Sequence, residues 1–240
     1  MELHAATGAE GLWGQVLAIL AMGGLPLWTI AFLSVVTVTL ILWKAMRLLS
    51  LGAWTGRGRA NRAVDLWQAG QRAQARALVE GKSGTRFRLI RAAMDVATDD
   101  SLTSAEAEAE VTRVARRLLA EAQAGLRGLE LAAVLGPLLG LMGTVTGMIA
   151  SFKSLQAAGA NADPATLAGG IWELLITTAA GMGVAIPAQV ALTWYESVTD
   201  RLALDMEDNA TRILARRMAR VDSGTHEVMP FRMHAQAAAE

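Results

Sequence analysis

Ionisable side chains are missing from three long stretches of this 240-residue chain. Thirty-three uncharged residues lie between Glu10 and Lys44, and 22 lie between Glu130 and Lys153. From Pro164 to Tyr195 the only charge is Glu173. A helix that crosses a bilayer needs roughly 20 apolar residues. The sequence therefore predicts an all-α membrane protein with three transmembrane helices, at 25–43, 129–152 and 169–195. Composition agrees, with 53% hydrophobic and 18% charged residues, against about 25% charged in a typical soluble domain.

The first stretch is too long for one span and is interrupted by Gly23, Gly24 and Pro26. Leu12–Met22 reads as a short helix lying at the membrane interface, so residues 1–24 form an outer N-terminal segment. No Lys or Arg precedes Lys44. A signal peptide needs a basic n-region, so the segment is expected to remain uncleaved.

The cations set the expected orientation. Lys44 to Arg127 holds 15 Lys and Arg against 9 acids, and six more follow Glu196. Lys153 alone lies between the second and third spans. Basic residues near span ends stay in the cytoplasm. The loop 44–128 and the C-terminal segment are thus cytoplasmic, and the N-terminus and the connection 153–168 are outside. Three spans satisfy this N-out/C-in arrangement, whereas two or four do not.

The long loop is helical in character. Arg59–Glu80 is rich in Ala, Leu, Gln and Arg and stops at Gly81, Ser83 and Gly84, and a second helix covers Thr85–Ala97. Thr103 and Glu106 have capping-box spacing. After them no strong breaker is seen before Pro137, so span two is expected to continue a cytoplasmic helix begun near Ser104. Span three likewise continues through 196–220, and 221–240 reads as a flexible tail.

The spans are rich in small residues. Gly136, Gly140, Gly143 and Gly147 form two GxxxG pairs on one face, and Gly181 sits among the alanines of the third span. Small residues let backbones approach closely where lipid supplies no hydrophobic drive. With only three spans, part of this packing is expected between copies of the chain.

An ionisable residue within a span is a functional candidate by default, and Glu173 is the one present. Thr144 shares a face with Gly147 and Ser151, and Thr178 shares one with Gly181 and Ala185. In antiparallel helices these faces could meet as a narrow, weakly polar track that suits proton passage if a partner supplies a carboxylate. Adjacent residues differ by about 100° around a helix, so only one of Thr177 and Thr178 faces such a track, and the spacing from Glu173 favours Thr178. Pro137 and Pro187 free backbone carbonyls within the spans.

Much chemistry is excluded. With no cysteine there is no disulfide framework or thiolate site. The three histidines, His4, His226 and His234, lie near the ends. No phosphate loop, nucleotide motif or Ser/His/Asp set is found, so no cofactor, metal or nucleic acid is expected. An enzyme using Glu173 as acid or base would lack accompanying groups. Any work done must draw on an ion gradient or a partner.

Two segments carry a family resemblance. LGPLLGLMGTVTGMIASF at 135–152 resembles the second-span signature of the ExbB/TolQ/MotA proton-channel family, and GIWELLITTAAGMGVAIP at 170–187 resembles its third-span signature. The three-span layout is similar to ExbB and TolQ rather than to four-span stators. The resemblance implies a homopentamer in the bacterial inner membrane. Its subunits enclose single-span helices of an ExbD-type or TolR-type partner whose aspartate carries the proton. It places the facing threonines at Thr144 and Thr178 and the third-span glutamate at Glu173. The implied function is conversion of proton-motive force into work on TonB, with a TolQ-type role on TolA or a passive membrane scaffold as alternatives.

Overall fold

The computed structural model describes residue 14 and residues 24–52, 56–159 and 164–225. Among them seven helices follow one another: α1 Gly24–Ser50, α2 Arg57–Gln68, α3 Arg72–Val79, α4 Thr85–Thr98, α5 Ser104–Gln123, α6 Leu126–Ala158 and α7 Pro164–Thr225. No strand occurs among the described residues. α1, α6 and α7 each contain a run long and apolar enough to cross a membrane. The predicted interfacial helix at Leu12–Met22 lies outside the described residues apart from Gly14.

The chain divides into two compact units. One comprises Met1–Ser50 with Ala122–Asp200, and the other comprises Leu51–Glu121 with Arg201–Glu240.

In the first unit α1, α6 and α7 turn most of their large apolar side chains outward. Phe32, Leu138, Leu141, Ile186 and Val190 are all exposed, as expected of side chains that meet lipid rather than a protein core. Trp28 and Trp43 stand exposed on α1, and Trp172 and Trp194 on α7. Trp and Tyr favour the membrane–water boundary, so these rings mark the ends of the apolar band. Buried Tyr195 donates its hydroxyl to the Ile41 carbonyl at 2.8 Å, tying α7 to α1. Pro137 and Pro187 are both accommodated within their helices.

The second unit is a soluble-type core of Val64, Val79, Leu89, Ile90, Met94, Leu118, Leu202 and Ile213. The Arg59–Glu80 region is two helices rather than one. Gly70 adopts φ +87° and separates α2 from α3, a left-handed conformation that glycine takes without steric cost. Gly56, at φ +89°, leaves room for the Phe87 ring, which would lie 2.8 Å from a side-chain carbon there. The Thr103 box closes reciprocally: the Glu106 amide donates to Thr103 Oγ1 at 3.2 Å, and the Thr103 amide donates to Glu106 Oε2 at 2.8 Å. Buried Arg86 donates to Asp205 Oδ2 at 2.8 Å and to the Gly52 carbonyl at 3.1 Å, while exposed Arg57 pairs with Asp205 Oδ1 at 3.0 Å.

One expectation is overturned. Span two does not continue the helix begun near Ser104, because the chain breaks at Ala124–Gly125. Gly125 takes φ +87°, and the Trp43 ring lies 2.6 Å from where its side-chain carbon would be. Two carbonyls at the break, of Ala122 and Ala124, accept from the Lys44 ammonium at 2.5 and 2.7 Å. Side chains some 80 residues away stabilise the break. By contrast α7 is a continuous helix of 62 residues, far longer than a span requires.

Arg86→Met removes one partner of a buried pair and leaves Asp205 with only the exposed Arg57. It should cost about 3–5 kcal/mol, measured as thermal unfolding of the solubilised protein. The Thr103 amide also holds the Glu106 carboxyl below the usual carboxylate range. The box is therefore fully formed above the unfolded value of about pH 4.3 and is lost as pH falls through the lower folded value. A pH titration of the Glu106 side-chain resonance should give a midpoint below that of a model peptide.

Candidate functional site

The sequence-predicted residues converge on one face between α6 and α7, where glycine removes the side chains that would hold the backbones apart. A carbon added at Gly136 would lie 2.7 Å from the Gly181 carbonyl oxygen and 3.1 Å from the Ala185 side chain. One added at Gly181 would collide with the Gly136 carbonyl. Gly140 faces the Thr178 backbone at 3.0 Å, Gly143 faces Thr177 Oγ1 at 3.0 Å, and Gly147 faces the Leu174 side chain. Ser151 Oγ lies 3.1 Å from the position a side chain would take at Gly170. These pairs run in opposite directions along the two helices, which fixes an antiparallel register.

This face is occupied within the chain. Within the one chain, these small residues join α6 to α7. Gly143 also lies against Pro26, 3.2 Å from its would-be side chain, so the start of α1 closes over the same seam.

The register sets the depth of the threonines. Thr144 follows Gly143, which opposes Thr177, so Thr144 and Thr178 lie at one level to within a residue or two, roughly 3 Å. Both are half-buried. Thr144 donates its hydroxyl to the Leu141 carbonyl at 2.7 Å. Thr178 donates across the seam to the Gly140 carbonyl at 3.4 Å. A hydroxyl has one donor and two lone pairs, so with the donors engaged both oxygens remain available as acceptors. Thr177, its neighbour, is only 2% exposed and donates to the Leu174 carbonyl at 2.7 Å. It packs into the seam.

Glu173 adjoins Leu174, which opposes Gly147, one helical turn beyond Thr144 and about 5 Å away along the axis. Its side chain is half-buried and makes no hydrogen bond or ion pair with a described residue. Trp172 beside it points outward, 69% exposed. At the opposite end of the same helix pair lies an open polar recess of about 560 Å³, lined by Arg127, Glu130, Glu196, Thr199 and Asp200 among others. The Thr144 and Thr178 oxygens offer hydrogen-bond acceptors, and among the described residues of α6 and α7 no ionisable group lies midway between Glu173 and the recess.

Sequence reasoning missed two residues that organise this unit. Lys44 and Tyr195 were legible only as residues that end apolar stretches, yet both side chains are buried and bond distant backbone carbonyls. The available signal for Lys44 was its place on the apolar face of α1, in helical spacing with Leu48 and Thr37.

Comparison with known proteins bears on the same residues. The model of the MotA/TolQ/ExbB proton channel family matches residues 82–208. The biopolymer transport protein exbB1 of Vibrio cholerae is 29% identical over 184 residues, covering 77% of this chain and 80% of that protein. A putative biopolymer transport protein, ExbB-like 1, of Synechocystis is 55% identical over 60 residues, 24% of each chain. A putative ExbB homologue of Methanothermobacter thermautotrophicus is 42% identical over 78 residues, 32% of this chain and 26% of that one.

The seam predicts a sharp contrast between neighbouring glycines. Gly181→Val should drive α6 and α7 apart and reduce the amount of folded protein recovered from membranes several-fold. Gly183→Val should be tolerated, since nothing lies within 4 Å of the added carbon. Size-exclusion yield and thermal stability in detergent distinguish the two variants.

Proposed function

Because the chain belongs to the MotA/TolQ/ExbB proton channel family, we propose that it is an inner-membrane motor subunit of ExbB type. With an ExbD-type single-span partner it converts proton-motive force into work on a TonB-type protein. Its N-terminus faces outward and its long loop and C-terminal helix face the cytoplasm, in line with the distribution of Lys and Arg. Copies of the chain, five on the family pattern, surround the partner helices.

The observation that carries this reading is the level pair Thr144 and Thr178, half-exposed at the α6–α7 seam with their oxygens free to accept. A protonated carboxyl on a partner helix would find acceptors there. Once it releases its proton, the carboxylate would lose those favourable contacts and tend to move. The polar recess at the loop side supplies a wet exit, about 14 residues or roughly 20 Å from Thr144 along α6. Glu173 stands one turn on the outer side, where a carboxylate can meet water and receive protons. The ExbB names of the relatives support an ExbB-type role over a TolQ-type role on TolA.

Thr144→Val and Thr178→Val should each abolish work driven by proton-motive force while leaving membrane level and assembly unchanged. Full activity in both variants would defeat the threonine assignment. Glu173→Ala should impair activity more than Glu173→Gln if polarity at the outer end is what matters. Equal, full activity in both would assign Glu173 to structure alone.

A further inference from the structure

The strongest feature outside the threonine seam is the grip of the last turns of α1 on the break between α5 and α6. Lys44 has no exposed surface. Its ammonium donates to the carbonyls of Ala122, in the last turn of α5, and Ala124, in the link. Terminal carbonyls of a helix lack amide partners and carry the negative end of its dipole. A charged donor satisfies them more strongly than a neutral one. Trp43, one residue earlier, fills the space that a side chain at Gly125 would need, and Leu40 stands 3.0 Å from the would-be side chain of Gly128. The Arg47 guanidinium lies 5.2 Å over the Trp43 ring. Ile41, on the same segment, receives the Tyr195 hydroxyl from α7. Four residues between 40 and 44 of α1 thus engage the α5–α6 break, the start of α6 and the body of α7.

A buried ammonium is expensive unless it is paired or hydrogen-bonded. An apolar residue at 44 would suit a membrane helix better on every ground except the two carbonyls. Residue 44 lies outside the family match of 82–208, and Lys44 is 100 residues from Thr144 and 134 from Thr178 in sequence and belongs to neither threonine helix.

We infer that Lys44 is a positioning residue for the proton-driven cycle: by clamping the carbonyls at the α5–α6 break it fixes where α6 begins, and so holds Arg127 and Glu130 of the first turns of α6 in place at the polar recess. The inference rests on the channel reading for its functional half and on the geometry alone for its clamp half. Without the ammonium the two carbonyls are unpaired beside a left-handed glycine, and the first turn of α6 is free to shift. The glycine seam still keeps the threonines level, but Arg127 and Glu130 at the recess lose their fixed places.

The test uses the full-length protein in lipid nanodiscs for hydrogen exchange, and vesicles holding it with its single-span partner for proton flux. Lys44→Met should raise amide exchange in residues 122–130 at least tenfold while leaving 136–150 and 170–190 unchanged. It should lower proton flux per complex at least tenfold with assembly intact. Gly125→Ala, which forces a side chain against Trp43 while keeping Lys44, should give the same local exchange and the same loss, and serves if Lys44→Met fails to insert. The double variant should be no worse than the poorer single one, since both act on one junction. Unchanged exchange at 122–130, a rise spread through all three spans, or full flux in both variants would overturn the inference. Active Thr144→Val and Thr178→Val variants would defeat the channel reading instead, because the exchange result does not depend on it.

Discussion

The close approach of two backbones at Gly136 and Gly181 is the constraint on which the rest of this structure depends. Within lipid no hydrophobic force pulls helices together, so contact has to come from packing of backbone against backbone. Glycine at each successive turn of α6 provides it, with Ala185, Thr178, Thr177 and Leu174 of α7 filling the opposite side. That interdigitation fixes the antiparallel register, and the register sets Thr144 and Thr178 at one depth. It also seals the seam between the two helices. The interior of this contact is filled, and the half-exposed threonine oxygens lie along its edge. A tight seam with an acceptor-lined edge is what a subunit needs if the moving charge belongs to another chain.

Polar groups are placed with the same economy throughout the spans. Thr37, Thr144, Thr146, Thr177 and Thr193 all donate to carbonyls of their own helix, so none leaves an unsatisfied donor in lipid. Thr178, Lys44 and Tyr195 donate away from their own helices instead, to Gly140 of α6, to Ala122 and Ala124 at the α5–α6 break, and to Ile41 of α1. The second unit follows soluble-protein rules, with an apolar core and the buried Arg86–Asp205 pair. One chain therefore carries two kinds of stabilisation, backbone approach in the membrane-type unit and side-chain burial in the other.

Much of this was legible in the sequence for physical reasons. The three apolar helices follow from where charges are absent, because a bilayer tolerates few of them. The start of α5 follows from the spacing of Thr103 and Glu106, a purely local signal. The glycine face on α6 was visible as a repeat, but its partner was not. Nothing in the spacing says whether a small-residue face meets the same chain or another copy. The break at Gly125 was hidden for a related reason. A lone glycine in a helical stretch costs only about 1 kcal/mol relative to alanine, so it does not by itself announce an end. The end is enforced by Trp43 and Lys44, which become its neighbours only after folding. The choice between Thr177 and Thr178 was a matter of rotation by one residue; in the structure Thr177 is buried in the seam and Thr178 is half-buried beside it.

The central claim is that this chain supplies a proton path without supplying the group that carries the proton. It is tested most directly by proton flux into vesicles under an imposed gradient, with the protein alone and with a single-span partner bearing a membrane aspartate. The account predicts no flux above that of empty vesicles for the chain alone, and flux that rises with the amount of partner and disappears when the partner's aspartate is replaced by asparagine. Equal flux with and without the partner would contradict it.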